Sequence, residues 1–308
     1  MNPNILRIAT SIKERFLDQA QDSNEISLFL CGGGGAQENE LRRGIGKQIS
    51  RMTSKYIYSV YYPEDLFVEL ILGHQKKDLL SLENLLADSV HCVVILVQSP
   101  GTCTELGAFA NYEKLKDKLL VIIEPQYKRS QSFILRGPVR YLEDNTRSKV
   151  LYLKITSDNL NTLVRQISES AREIAKHSFP IKELSNPITS YKFYLALIYV
   201  FDPLGKERVF EIMNLLDNGK HDVAQTAAQT VINSLISEGK ATCTTDKLSI
   251  TKKGIDSLIY DNQTKKMSNS TLSFLSTLRL EALNLTIRRR YVNYGRGDTS
   301  LASLTRQT

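Results

Sequence analysis

Apolar and polar positions alternate along the chain with two different rhythms. Residues 4–20 place Ile5, Ile8, Ile12, Phe16 and Leu17 at helical spacing, and Ser23-Asn24 ends the pattern. Ile26 to Leu30 form a short apolar run that leads into Cys31-Gly32-Gly33-Gly34-Gly35. A helix is expected over 36–52, a strand over Tyr56 to Val60 and a helix from about Leu79 to Ala87. The runs His91 to Val97 and Leu119 to Ile123 are too apolar for half-exposed strands and predict the centre of a buried parallel sheet. Between them the turn Ser99-Pro100-Gly101-Thr102 precedes a helix from Thr104 to Leu115. A strand near Val150 to Ile155 and a helix from Asn159 to Lys176 complete the alternation, which predicts an α/β fold: a doubly wound, mostly parallel sheet with helices on both faces.

From Pro180 to Pro187 the rhythm lapses into a Pro-containing linker. Three helices follow, at Tyr191–Val200, Lys206–Asp217 and His221–Ser237. A hairpin of Ala241–Thr244 and Lys247–Thr251 and a short helix Lys253–Tyr260 come next, and together they make a winged helix-turn-helix pattern. The expected domains are therefore 1–177 (α/β), 188–260 (winged helix) and a tail, 261–308.

Charge changes this picture only at the end of the chain. Residues 1–170 carry 21 Lys and Arg against 20 Asp and Glu, and 171–260 carry 11 against 10, but 261–308 carry 8 against 3. Most of the net charge of +7 therefore belongs to the tail, which points to a polyanionic partner held there. Arg288-Arg289-Arg290-Tyr291, with Tyr294 and Arg296, interleaves guanidinium groups with aromatic faces, a composition suited to phosphate neutralisation and base stacking. In the winged helix, Gln225, Thr226, Gln229 and Thr230 on the third helix and Lys247, Lys252 and Lys253 at the wing are the candidate nucleic-acid contacts, although a protein-binding module has the same pattern. Leu278, Leu280, Leu283, Leu285 and Ile287 suggest an apolar contact with a protein partner.

A chain of 308 residues with 42% apolar and 24% charged content buries a core without staples, which excludes collagen-like, disordered and disulfide-built classes. Cys31, Cys92, Cys103 and Cys243 lack the short spacing of a zinc site, so no metal is expected. Charged residues interrupt the N-terminal apolar positions, and no uncharged run approaches the roughly 20 residues of a membrane span. These features predict a cytoplasmic protein with no membrane association.

The candidate chemistry lies at the ends of the first strands. Gly32, Gly33 and Gly34 let a ligand approach the backbone, and their amides suit phosphate or ribose oxygens, although the loop matches neither a dinucleotide fingerprint nor a P-loop. Ser99-Pro-Gly-Thr-Cys-Thr-Glu105-Leu-Gly107 is more specific, because it follows a buried strand and opens a helix. Glu105 is expected in the first helical turn, where the dipole favours a carboxylate able to attack or stabilise a ribosyl anomeric carbon. A second carboxylate would protonate a departing base, and Asp78 is preferred over Asp88 for that role. Helix capping by Thr102 and a dipole-paired Glu105 are the non-catalytic alternative.

The stretch from Asp78 through Ala87-Asp88 to Gly101-Thr-Cys-Thr-Glu105-Leu-Gly107-Ala108 resembles the core of the nucleoside 2-deoxyribosyltransferase-like family. The resemblance implies that Glu105 is the catalytic glutamate and Asp78 its partner; Gly32, Gly33, Gly34, Arg42, Asp88, Ser99, Gly101 and Thr102 are the candidate substrate-binding residues beside them. Typical members carry a further acidic residue shortly before the glutamate, where this chain has Ser99 or Pro100. With its winged helix and basic tail, nearly the whole chain resembles the effector proteins of type II retrons, a bacterial anti-phage system. That resemblance implies a toxic N-glycosidase whose partners are a reverse transcriptase and a multicopy single-stranded DNA/RNA hybrid. It also implies NAD as a substrate, no resident cofactor, and a homo-oligomer whose sites are completed by a neighbouring subunit. Arg42 or Arg43 beyond the glycine loop would then hold the pyrophosphate. Base release or exchange on deoxynucleosides or deoxynucleotides, and a non-enzymatic nucleotide-sensing DNA-binding regulator, are the alternatives.

Overall fold

The computed structural model describes residues 3–18, 24–52, 54–64, 87–180, 182–217, 221–261 and 266–297. The chain divides into two compact units, one of residues 20–190 with 229–231, the other of 1–19, 191–228 and 232–308.

In the first unit, Glu25–Cys31 (β1), Ile57–Tyr61 (β2), Cys92–Leu96 (β3), Leu119–Ile123 (β4) and Lys149–Tyr152 (β5) pair in parallel in the order β2-β1-β3-β4-β5. Every residue of β3 and β4 is buried, as their unbroken apolar sequences require of central strands covered on both faces. The N-terminal helix is Pro3–Lys13 (α1); the helices Ala36–Ser50 (α2) and Leu160–Ala175 (α5) pack on one face of the sheet. There Ile45, Ile49, Leu163 and Ile167 meet Leu28, Leu30, Val94 and Ile122. Pro100–Ala110 (α3) and Arg140–Asn145 (α4) cover the other face, where Leu106, Phe109 and Leu142 meet Phe29, Val93, Ile95 and Val121. Leu28 and Leu30 point one way and Phe29 and Cys31 the other, which is the two-residue period of a strand. The expected α/β sheet with helices on both faces is present. Strand order reverses at β1, which has β2 on one side and β3 on the other, so a crevice opens past the carboxyl ends of β1 and β3.

The helix α4 and the wide turn Leu135–Val139 before it were absent from the sequence expectation. The linker from 182 to Pro187 is packed: Leu184, Ser185 and Asn186 are buried, and the Asn186 side chain accepts hydrogen bonds from the amides of Ile188 and Thr189.

The second unit is built around Tyr191–Val200 (α6), buried from Phe193 to Val200. Then follow Leu204–Gly205 (β6), Lys206–Leu216 (α7), His221–Ser237 (α8), Ala241–Thr244 (β7), Lys247–Ile250 (β8), Lys252–Ile259 (α9) and Asn269–Gly297 (α10). The strands are antiparallel in the order β6-β8-β7, and β7 and β8 are joined through Thr245 and Asp246, both at positive φ (48° and 58°), as a two-residue hairpin turn demands. Helix α1 packs on α6, α7 and α10 and belongs to this unit, whereas the sequence reading joined it to the α/β domain. Its stripe of Ile8, Ala9 and Ile12 suits any apolar groove, so nearness in sequence did not reveal which core it enters. No described helix is long and apolar enough to cross a membrane.

At the amino end of the sheet, Lys118 is buried just before β4 and its Nζ donates to the carbonyl of Val90 at 3.3 Å. Burial pulls its pKa down to about 8, against the attraction of Asp88. Because the folded value lies below the unfolded one, the folded state loses stability as pH falls through about 8 and gains it as pH rises from there toward the unfolded value. Wild-type stability is therefore expected to rise relative to Lys118→Met between pH 7.5 and 10, measured as urea midpoints at each pH. Parallel profiles would show that Lys118 is not held with a lowered pKa.

Candidate functional site

The turn from β3 into α3 is built by side chains bonding their own backbone. Ser99 is the N-cap: its Oγ accepts from the Thr102 amide at 3.3 Å, while Thr102 Oγ1 accepts from the amides of Ser99 (3.0 Å) and Gln98 (3.1 Å) and donates to the Ser99 carbonyl (2.8 Å). Pro100 occupies the first helical position, where its missing N–H costs nothing. Helix α3 thus begins four residues before the expected Thr104, and Ser99, not Thr102, is the cap. Thr102 is 1% exposed and its hydroxyl is used within the turn, so it shapes the crevice without facing it. Gly101 is exposed, and a Cβ there would come no closer to another group than 3.7 Å, from Ser99 Oγ.

Starting α3 at Pro100 makes Glu105 its sixth residue. It lies in the second turn, and no acidic residue occupies the first. Dipole stabilisation fades within one turn, so the expected help to the Glu105 carboxylate from the helix N-terminus is small. Glu105 is half-buried and its Oε2 is buried. Asp78 lies outside the described residues. Asp88 precedes β3, at the amino end of the sheet, and pairs with Lys114 at 3.5 Å. The five residues of β3, roughly 16 Å of strand, separate that end from the crevice, so Asp88 is removed from the substrate site.

On the β1 side, Gly32 and Gly33 are packed and Gly34 faces open space. A Cβ on Gly33 would collide with the Glu38 carboxylate, and the Gly35 amide donates to Glu38 Oε2 at 3.1 Å. The Gly35 amide is therefore turned toward a carboxylate of α2. Arg42 is 5% exposed and its stem runs against Gly32, where a Cβ would come within 2.9 Å of Cδ. Its Nη2 donates to Asn39 Oδ1 (3.0 Å) and Glu64 Oε1 (2.5 Å), and Arg43 Nη2 reaches the same Glu64 oxygen at 3.0 Å. Both guanidinium groups lie over the Tyr62 ring, at 5.9 and 4.0 Å from its centroid. Glu64 and Tyr62 were missed from sequence. Their signal was their place just past β2, which becomes informative only once β2 is known to lie beside β1.

On α8, Gln225 is exposed and Gln229 half-buried, but Thr226 and Thr230 are buried at 2% and 5% exposure. Those two hydroxyls are removed from the expected nucleic-acid face. Lys247 and Lys252 are exposed on β8 and α9. Lys253 is exposed too, and its Nζ donates to the Glu238 carbonyl at 2.7 Å, capping the end of α8. Arg288, Arg289 and Arg290 fall on the helical backbone of α10, and their side chains lie outside the description. Leu280, Leu283 and Ile287 of α10 are exposed, whereas Leu278 is buried.

A groove of about 460 Å³ between α6, α9 and the segment after α9 presents Tyr191 and Tyr260 beside Lys192, Lys240 and Lys253. Lys240 donates to the Tyr191 hydroxyl at 3.0 Å, and that hydroxyl donates to Glu238 at 2.9 Å. Burial works against the Glu238 charge, but Lys240, Ser234 and Tyr191 outweigh it and hold the carboxyl below its ordinary range.

The profile of the STM3845 retron effector protein family matches residues 38–243. An Escherichia coli protein described as "Retron Ec86 putative ribosyltransferase/DNA-binding protein" is 30% identical over 282 residues, 86% of this chain and 87% of the relative. Its counterpart in retron Ec73, also from Escherichia coli and described in the same words, is 24% identical over 209 residues, 60% of this chain and 65% of that protein. The family match takes in the Glu105 turn, and the chain belongs to the STM3845 retron effector protein family.

Proposed function

We propose that this retron effector is a toxic N-glycosidase that hydrolyses a nucleotide, with NAD converted to ADP-ribose and nicotinamide as the first reaction to examine. The observation that carries the reading is Glu105, whose buried carboxylate oxygen sits on the helix that opens at the carboxyl ends of β1 and β3. Ligands of doubly wound sheets bind at that place. Nicotinamide in NAD is already cationic and leaves without prior protonation, so one carboxylate suffices to stabilise the oxocarbenium-like ribosyl centre and orient water. Water adds to C1′, the C1′–N bond breaks, and one proton is released with the two products. Ser99 and Thr102 hold the turn rigid, Gly34 and Gly101 leave room for the ligand, and Asp78 is the acid where the leaving base is neutral. The word ribosyltransferase in the relatives' names agrees with chemistry at C1′.

The order α6-β6-α7-α8-β7-β8 with three antiparallel strands supports a winged helix for the second unit. With Thr226 and Thr230 buried, its nucleic-acid contacts are assigned to Gln225, Lys247 and Lys252 and to the arginines of α10, where a reverse transcriptase and its DNA/RNA hybrid would hold the effector in check. The relatives' names include DNA binding. Incubating the purified protein with NAD, deoxynucleotides and deoxynucleosides, and separating the products by chromatography, is expected to yield free nicotinamide from NAD. Release of nucleobase from deoxynucleotides alone would move the assignment to the deoxyribosyl substrates. Intact substrates throughout, with and without the retron complex, would reject the enzyme.

A further inference from the structure

Arg42 and Arg43 are adjacent on α2, yet both guanidinium groups turn to one oxygen of Glu64, and both lie against the Tyr62 ring. Arg42 is 95% buried, and its Nε, an N–H donor buried with the rest of the side chain, has no hydrogen-bond partner among the described residues. A buried charged donor left unmatched is costly, and a further acceptor at this place would relieve that cost. The stem of Arg42 lies against Gly32, so the cluster borders the glycine loop at the end of β1. Two forked guanidinium groups converging on a single oxygen match the several oxygens of a phosphate better than they match one half-exposed carboxylate.

We infer that Arg42 and Arg43 form the phosphate subsite of this crevice, and that Glu64 is its specificity-determining residue. Glu64 holds the pair in place while no phosphate is bound and is displaced by the phosphate of a nucleotide. A nucleoside, lacking that group, leaves the Glu64 contacts intact and gains nothing from them. The chemical class selected is therefore a nucleoside carrying a phosphate or pyrophosphate. The inference rests on the glycosidase reading for what happens to the ligand, but anion binding is measurable without turnover.

Calorimetric titration of the full chain with inorganic pyrophosphate tests it. Glu64→Gln removes the competing charge but keeps an acceptor for Arg42, and is expected to tighten pyrophosphate binding about tenfold. Arg43→Met, at a half-exposed position that folding tolerates, is expected to weaken it at least about tenfold, and Arg43→Lys by less, because the charge stays while the fork is lost. Glu105→Gln should bind pyrophosphate as the wild type does. Unchanged affinity in both Glu64→Gln and Arg43→Met, with thermal melts showing folded protein, overturns the subsite. Weaker binding in Glu64→Gln would make Glu64 a part of the subsite and overturn its role as competitor. If pyrophosphate binding follows Arg43 and Glu64 while no substrate is cleaved, the glycosidase reading fails and the subsite stands.

Discussion

Glu105→Gln is expected to slow base release from the preferred nucleotide by at least about a thousandfold, a loss of about 4 kcal/mol of transition-state stabilisation. The amide has the shape of the carboxylate and lacks only its charge, and the charge is what an oxocarbenium-like C1′ needs. Because Glu105 sits in the second turn of α3, the helix N-terminus contributes little to it, and the effect belongs to the carboxylate itself. Glu105→Asp keeps the charge but withdraws it by one methylene, and a misplacement of about 1 Å is expected to leave activity roughly a hundredfold down, between wild type and the amide. Single-turnover chromatography supplies the rates, and circular dichroism melts supply the control, since the chain has no tryptophan to report folding by fluorescence. A purely structural Glu105 would show the opposite pattern: activity would fall only as far as the folded fraction falls. Equal rates in wild type and Glu105→Gln would end the assignment.

What sequence reading could and could not reach divides along physical lines. The strands β3 and β4 were legible because a fully covered strand has no polar positions, and Leu119 to Ile123 and Cys92 to Leu96 have none. The hairpin was legible from two short alternating strands around Thr245-Asp246. The start of α3 was not, since Ser-Pro-Gly-Thr is as good a β-turn as a proline-led helix, and only the reciprocal Ser99–Thr102 bonds decide it. The turn that leads into α4 contains Gly137 and Pro138, both poor helix formers, so its sequence carries no helical signal. Within the site, the contiguous Ser99-to-Glu105 motif needed no topology. Glu64 and Asp88 did: strand order brings the end of β2 beside β1, and chain direction carries Asp88 to the far edge. The burial of Thr226 and Thr230 is equally a tertiary fact, invisible to helical spacing.

Gly254→Ala is expected to destabilise the second unit by about 2–3 kcal/mol, although alanine is the better helix former by about 1 kcal/mol. Gly254 is the third residue of α9 and its amide donates to the N-cap hydroxyl of Thr251 at 3.1 Å. A methyl group there would run into the carbonyl oxygen of Lys240 and come within 2.9 Å of Ile250 Cγ1. That carbonyl is not free to retreat, because it accepts from both the amide and the hydroxyl of Thr251, each at 3.0 Å. Relief of the clash therefore loosens either the cap of α9 or the start of β7, and both hold the hairpin against α9. Urea unfolding followed by circular dichroism should show the loss in the transition of this unit, with the α/β transition unmoved, because two units need not unfold together. Gly34→Ala, where a Cβ meets nothing within 4 Å, is the matched control and should leave both midpoints in place. An unchanged midpoint in Gly254→Ala would mean that α9 can shift without cost, and the close approach of its first turn to Lys240 would then not be what fixes the hairpin.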